Sequence, residues 1–267
     1  MSDASEPLSV ELSTELLKRL GVPDSKIAPS DPGNELEDAI IKHLKPLRSD
    51  LRIERGRRAH EFSQYAHLDV FPTFRRTFQD LRPTVARLSD RVRSIDLGRA
   101  RSRIELDLAK LIASTDQQAV LVSDLSEQMP TESLLKIDVS VAIPHEGELD
   151  ELAIALSSKW SLRTDRAQDC VSQGSKLVAQ RRGRMPHFGV ITVEPRPHML
   201  RILADGSGAV DFVYHLDLSA LSDSIATVAS RKTAGWSPAR TFNRLMRQKR
   251  LRDFDELVAE VMRVPSP

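Results

Sequence analysis

Hydrophobic positions in the first half of the chain recur with a helical period. Leu36, Ile40 and Leu44 lie on one side of a predicted helix, and Glu37 sits at the edge of that apolar stripe. Residues 52–112 also read as mostly helical, with proline and glycine breaks between segments. This part of the chain is therefore expected to be a set of helices that carries a half-buried carboxylate.

The period changes to strict alternation near the middle of the chain. Apolar and polar residues alternate over 137–143 and again over 152–159, which predicts two strands. The same reading predicts these further segments: a possible short strand at 119–122, a helix at about 165–181, a strand at 188–193, and a hairpin made of 199–203 and 210–216.

The order of elements is helices, then a strand-rich core with one central helix, then helices. That order predicts an α/β (mixed α+β) fold in which helices cover both faces of a central mixed sheet. We expect a single domain over 1–267. Its parts are an N-terminal extension (1–30), a helical part with Glu37 (31–112), a core (134–216) and C-terminal helices (217–267).

Composition narrows the class of protein. The 267 residues are 40% hydrophobic and 29% charged, and no apolar run reaches the ~18 residues of a membrane span. The start of the chain lacks a signal-peptide pattern, and the single cysteine, Cys170, cannot form an internal disulfide. These features favour a cytoplasmic protein without a membrane. The net charge of +1 argues against a purely electrostatic DNA coat, although arginines cluster locally.

Two charged residues on the predicted strands suggest chemistry. Asp138 points away from Ile137 and Val139, and Lys159 ends the second strand. If the strands are neighbours, the two side chains converge at one end of the sheet. A carboxylate there can hold Mg²⁺, and a lysine can orient the attacking water or assist its deprotonation. Exposed charges or a plain salt bridge are the commoner explanation of such a pair.

Three polar residues open the following helix. Arg163 and Arg166 can each donate two hydrogen bonds to guanine, and Asp165 can accept one from cytosine. The element thus carries the groups needed to read GG and CC. The alternative is a helix cap by Asp165 with two solvated arginines.

The block Ser157–Gln168 resembles the signature of the CCGG-cutting type II restriction endonucleases, a branch of the PD-(D/E)xK nucleases. Its Ser-x-Lys-x-x-x-Arg-x-Asp-Arg spacing is specific. Weaker blocks in the same order support it, at 33–37, 64–68, 182–187, 193–195, 213–215 and 249–253. The resemblance implies a restriction-endonuclease-like fold.

The resemblance also implies roles for single residues. Asp138 would be the principal Mg²⁺ ligand, helped by the backbone carbonyl of Ser158, and Glu37 would supply a second carboxylate. Lys159 would be the catalytic lysine. Ser157 occupies a place that an acid holds in ordinary members of the superfamily.

One position departs from the resembling enzyme. Gln173 stands where that enzyme carries a glutamate that approaches the active site, and Asp169, one turn earlier, is a candidate substitute. Bases outside CCGG are expected to be read from the segment that contains Arg196, His198 and Arg201, which does not match residue for residue.

The expected function is Mg²⁺-dependent cleavage of both strands of a palindromic DNA site containing CCGG. The resemblance implies 5′-phosphate ends, a four-base 5′ overhang, a homodimer or homotetramer, and pairing with a DNA methyltransferase. Two alternatives stay open at this point. One is a sequence-specific DNA-binding protein without cleavage, and the other is a structure-specific repair or recombination nuclease of the same fold.

Overall fold

The computed structural model describes residues 6–23, 30–128, 135–205 and 208–267. Its helices are α1 Pro7–Arg19, α2 Pro32–Leu44, α3 Val70–Thr77, α4 Arg82–Arg93, α5 Arg101–Gln128, α6 Thr164–Gln180, α7 Pro197–Ala204, α8 Leu218–Ala229, α9 Ser237–Arg247 and α10 Phe254–Met262. Its strands are β1 Arg52–Arg55, β2 Val139–Ile143, β3 Glu151–Lys159, β4 His187–Thr192, β5 Phe212–His215 and β6 Leu251–Asp253. The expected α/β architecture with a mixed sheet is confirmed.

The six strands lie in the sheet in chain order. β1, β2 and β3 pair antiparallel, whereas β3 to β6 pair parallel. Because β2 runs against β3, the start of β2 lies beside the end of β3. Because β4 runs with β3, Lys159 pairs with Thr192 and the segment after β4 leaves at the same edge. One edge of the sheet therefore collects Asp138, Lys159 and the residues that follow Thr192.

Helices cover both faces of the sheet. On one face, α2 and α10 contribute to a buried cluster with alternate residues of the strands, including Val139, Leu156 and Ile191. On the other face, α6 packs so closely that a Cβ on Gly174 would come within 2.7 Å of the Phe188 ring. β3 is buried along nearly its whole length because both of its faces are covered.

The chain divides into two compact units. One contains residues 1–67 and 134–267 and holds the whole sheet, and the other contains residues 68–133 and consists of helices. Within the second unit, α4 packs against α5. The single-domain assignment stays a prediction. No helix in the described ranges is long and apolar enough to cross a bilayer.

Two sequence-based assignments are wrong. Residues 119–122 lie inside α5, where Ala119 and Val122 are partly buried and Val120 and Leu121 are exposed, as a helical period requires.

The predicted hairpin is wrong because 197–204 is helix α7, and β5 pairs with β4 and β6 instead. Pro197 fits the first turn of that helix, and Leu200 and Leu203 then fall three residues apart on its buried side.

Candidate active site and recognition helix

Asp138 and Lys159 meet at one edge of the sheet. Asp138 directly precedes β2, and Lys159 is the last residue of the antiparallel neighbour β3. The Lys159 Nζ donates to Asp138 Oδ2 at 2.7 Å, and both side chains are 18% exposed. The predicted convergence of the two residues is thus present in the fold, with each side chain still open to solvent.

Asp138 is fixed by two further donors from β3. The Ser157 hydroxyl donates to its Oδ2 at 3.1 Å and the Ser158 backbone N–H donates to the same atom at 2.9 Å. The Ser157 hydroxyl oxygen also lies 3.5 Å from the buried Cys170 sulfur of α6. Ser157 therefore connects Asp138 to the buried side of α6. The Ser158 hydroxyl is buried and has no partner among the described residues.

Glu37 reaches the same site from α2. Asp31 caps this helix by accepting from the Asn34 N–H, and the apolar side of α2 packs on the sheet. Glu37 is 15% exposed. Burial first, and then the negative charge of Asp138, raise the pKa of Glu37 from 4.5 to about 7, although nearby positive charges oppose them. The carboxylates of Glu37 and Asp138 therefore repel each other across the site.

Lys159 keeps its proton in this setting. Burial lowers the pKa of Lys159, but the charge of Asp138 and the hydrogen bond to it outweigh burial, and the net pKa is raised. The negative charge of Asp169 on α6 acts in the same direction. An ammonium group, not a free amine, thus faces Asp138.

Asp169 and Gln173 both lie on α6, but only Asp169 acts on the site electrostatically. Its charge contributes to the pKa of Lys159 and of Cys170. Gln173 is half-buried, and within the described part of the chain its side chain contacts neither Asp138 nor Glu37 by a hydrogen bond. The catalytic roles of Asp169 and Gln173 both stay predictions.

The residues that the sequence predicts to read DNA lie at the beginning of α6. Arg163 is the N-cap residue, and Asp165 and Arg166 belong to the first turn. All three are exposed, and within the described ranges none of their side chains makes a hydrogen bond or ion pair. Asp165 does not cap the helix, since no side-chain cap bond is present. Reading of base edges requires free donors and acceptors of this kind, and they stand in the turn after β3.

Arg196 lies in a different setting from the one that the sequence predicted. Its side chain is 3% exposed, and its Nε donates to Glu194 Oε1 at 2.6 Å. Its two terminal nitrogens donate to the Leu162 carbonyl oxygen at 2.6 Å and to Glu6 Oε2 at 2.7 Å. The Arg196 guanidinium is thus buried and bonded inside the protein, and its DNA-reading role stays a prediction.

The other two residues of that segment remain accessible. His198 is partly exposed, with its Nε2 3.7 Å from Glu6 Oε1, and Arg201 is exposed on α7. Their roles in reading the outer bases stay predictions.

Glu194 is the residue that the sequence reasoning missed. It is fully buried, and its Oε2 accepts from the Leu162 N–H at 2.8 Å. The available signal was an acidic residue directly after the apolar strand β4, followed by Pro195 and a basic residue. An acid in that position must have a partner, because an unpaired buried charge is costly.

The chain is similar to known restriction enzymes. The family model described as NgoMIV restriction enzyme matches residues 108–262, more than half of the chain. Type II restriction enzyme NgoMIV of Neisseria gonorrhoeae is 35% identical over 111 residues, which is 42% of this chain and 37% of that protein. The aligned part thus spans less than two fifths of this relative.

Among solved structures, the restriction endonuclease PspGI–substrate DNA complex is similar at 16% identity and a TM-score of 0.28, over 41% of this chain and 39% of that chain. The family match covers Asp138, Lys159 and the whole recognition turn, but not Glu37. The resemblance of the Ser157–Gln168 block is confirmed by that match. The chain belongs to the NgoMIV restriction enzyme family.

Proposed function

We propose that this protein is a magnesium-dependent type II restriction endonuclease that cuts both strands of a palindromic DNA site containing CCGG. The observation that carries the proposal is the Asp138–Lys159 pair at 2.7 Å, which stands directly before a turn of three unpaired reading side chains. Family membership supports the class of enzyme, and the free arginines support CCGG as the sequence read.

The donor set fits a hard divalent cation. Asp138 and Glu37 offer carboxylate oxygens and Ser158 offers a backbone carbonyl, which are the ligands that Mg²⁺ takes. Burial, and then the charge of Asp138, raise the pKa of Glu37, and a bound divalent cation would favour the ionised form of both carboxylates. Among the described residues no group of three or more His, Cys, Asp or Glu side chains is arranged to hold a metal ion. The site would therefore rely on backbone and DNA oxygens as well. When bound, the cation supplies charge stabilisation and a polarised water.

Lys159 and Asp138 have different roles in hydrolysis of the phosphodiester. A water oxygen forms a bond to phosphorus and gives up a proton to solvent. The bond from phosphorus to the 3′ oxygen breaks, that oxygen takes up a proton from solvent, and a 5′-phosphate and a 3′-hydroxyl result. Lys159 is protonated, so it holds positive charge beside the attacked phosphate and orients the water by hydrogen bonding. Asp138 fixes the ammonium group through the 2.7 Å bond.

The recognition turn sets where the cut falls. Arg163 and Arg166 donate to guanines and Asp165 accepts from cytosine, and the few residues from Lys159 to Arg163 fix the distance between reading and cutting. We expect the cut to fall before the first C and to leave a four-base 5′ overhang, as the resemblance of the Ser157–Gln168 block implies. A palindromic site calls for two protomers, as a homodimer or homotetramer, with one active site for each strand. A cytoplasmic location and a partner DNA methyltransferase belong to the same proposal.

The test is digestion of a fully sequenced DNA by the purified protein, with Mg²⁺ and separately with EDTA, followed by sequencing of every end. Discrete ends at CCGG palindromes only with Mg²⁺ support the proposal and reveal the flanking bases. Random or branch-dependent cleavage would refute the reading roles of α6, and specific binding without cleavage would refute the catalytic roles of Asp138 and Lys159.

A further inference from the structure

The segment between the catalytic strand and the recognition helix is held by a buried ion pair. Leu162 lies three residues after Lys159 and directly before Arg163, and its side chain is buried. Its backbone N–H donates to Glu194 at 2.8 Å, and its carbonyl oxygen accepts from Arg196 at 2.6 Å. Both polar groups of this one peptide position are thus bonded to the two partners of one charged pair.

Three hydrogen bonds join the two residues of the pair. Arg196 donates to Glu194 from its backbone N–H at 3.0 Å, from Nε at 2.6 Å and from a terminal nitrogen at 3.1 Å. The Glu194 N–H donates to the Thr192 hydroxyl at 3.1 Å, which ties the loop to the end of β4. Arg196 also reaches Glu6 at the start of α1. Leu162 is therefore tied to the end of β4 and, through Arg196, to the start of α1.

We propose that Glu194 and Arg196 are positioning residues that fix the recognition turn of α6 relative to Lys159, so that reading of the DNA sequence places the phosphate to be cut. The inference rests on the proposed function for its catalytic consequence. Apolar packing alone would bury Leu162 without holding both of its backbone groups. A charged pair is a directional alternative, because each of its bonds fixes an angle as well as a distance. Neither residue needs to touch the DNA.

The proposal predicts that loss of the pair lowers the rate of DNA cleavage but leaves the affinity for DNA nearly unchanged. Without the pair, α6 still presents its three reading side chains on one rigid helix, so affinity for a CCGG duplex changes little. The phosphate then arrives displaced from Lys159, and a displacement of about 1 Å can cost about a hundredfold in rate. Loss of a merely structural interaction would lower both quantities together through the folded fraction.

Two variants test this expectation. Arg196→Lys keeps the charge but lacks the forked guanidinium that bonds Glu194 and the Leu162 carbonyl oxygen together. The double variant Glu194→Gln with Arg196→Met removes both charges, so that neither remains buried without a partner. The matched control is Asp150→Asn, which removes another buried carboxylate, 2% exposed and bonded to Arg57 at 2.6 Å, at the opposite end of β3.

The measurements are the dissociation constant for a CCGG duplex in EDTA and the single-turnover cleavage rate with enzyme in excess and Mg²⁺. We expect both variants to cleave about a hundredfold more slowly while their CCGG affinity, and its ratio to a scrambled duplex, stay close to wild type. The control should keep both values. Equal losses of affinity and rate, unchanged cleavage, or the same split in the control would each overturn the inference.

A second readout does not depend on nuclease activity. Amide hydrogen exchange at Leu162 should be slow in the wild-type protein and much faster in Arg196→Lys, with exchange at Leu177 in the last turn of α6 unchanged. If the wild-type protein does not cut CCGG DNA, the proposed function fails while this exchange pattern still decides whether the pair holds the turn. Equal exchange at Leu162 in both proteins would refute the positioning role.

Discussion

The carboxylate of Glu37 should make the metal-free protein less stable as the pH rises. Its pKa is about 7 in the folded protein against 4.5 for an unperturbed glutamate, because burial and the charge of Asp138 disfavour ionisation. The favourable state is the protonated one, so the stability linked to this group is fully present below pH 4.5 and is lost as the pH rises through about 7.

The magnitude follows from the two values. The interval between 4.5 and about 7, at about 1.4 kcal/mol for each pH unit, corresponds to an upper limit of about 3 kcal/mol. Between about pH 5 and pH 8 the measured loss should be about 2 kcal/mol, since part of the transition already lies below pH 5 and the side chain retains some solvent contact.

The assay is urea unfolding in EDTA at several pH values, with wild-type protein and with Glu37→Gln. The variant should lack this component, so the difference in unfolding free energy between the two proteins should shift by about 2 kcal/mol over that range. Glu35→Gln, on the exposed side of the same helix, is the matched control and should follow wild type. Adding Mg²⁺ at pH 8 should stabilise the wild type more than the variant. If Glu37→Gln and wild type show parallel pH profiles in EDTA, the electrostatic account of the site is wrong.

Three further predictions concern the proposed nuclease. Lys159→Met and Asp138→Asn should each abolish cleavage in gel assays while retaining specific binding of a CCGG duplex, and residual site-specific cutting would contradict the catalytic assignment. Arg166→Ala should weaken CCGG binding by about 1–3 kcal/mol for the lost bidentate contact, with an unchanged melting temperature because the side chain is exposed; an equal loss on scrambled DNA would indicate phosphate contact instead. Asp169→Asn should slow single-turnover cleavage and Gln173→Ala should do so less, and wild-type rates in Asp169→Asn would remove it from the site.

The juxtaposition of Asp138 with Lys159 was predictable because it depends on local periodicity and on the pairing of two strands that follow each other in the sequence. Strand side chains alternate, and two neighbouring antiparallel strands bring the start of one beside the end of the other. The fold class followed from the same periodicity. The roles of single residues then came from the resemblance of one short block.

The setting of Arg196 was not predictable in this way. Its burial depends on Glu194, Leu162 and Glu6, and no local pattern shows that these three approach it. An arginine directly after a proline looks the same in a sequence whether it faces solvent or a buried carboxylate. The wrong hairpin prediction has a similar cause. The short apolar run of α7 is compatible with both a helix and a strand, and its packing against α6 and α9 is a tertiary contact that the local sequence does not show.

The close packing of α6 at Gly174 has a consequence for how the protein would select its DNA site. A helix whose backbone lies against the Phe188 ring and the Ala209 carbonyl has no space to rock or slide. The side chains that would read DNA then project from a helix that is already ordered in the free protein. Little conformational entropy of this helix is therefore lost when DNA binds. In the proposed nuclease, the DNA rather than α6 changes conformation on binding, by bending or twisting to fit the protein surface. Base pairs that no side chain touches would then affect the choice of site through their flexibility.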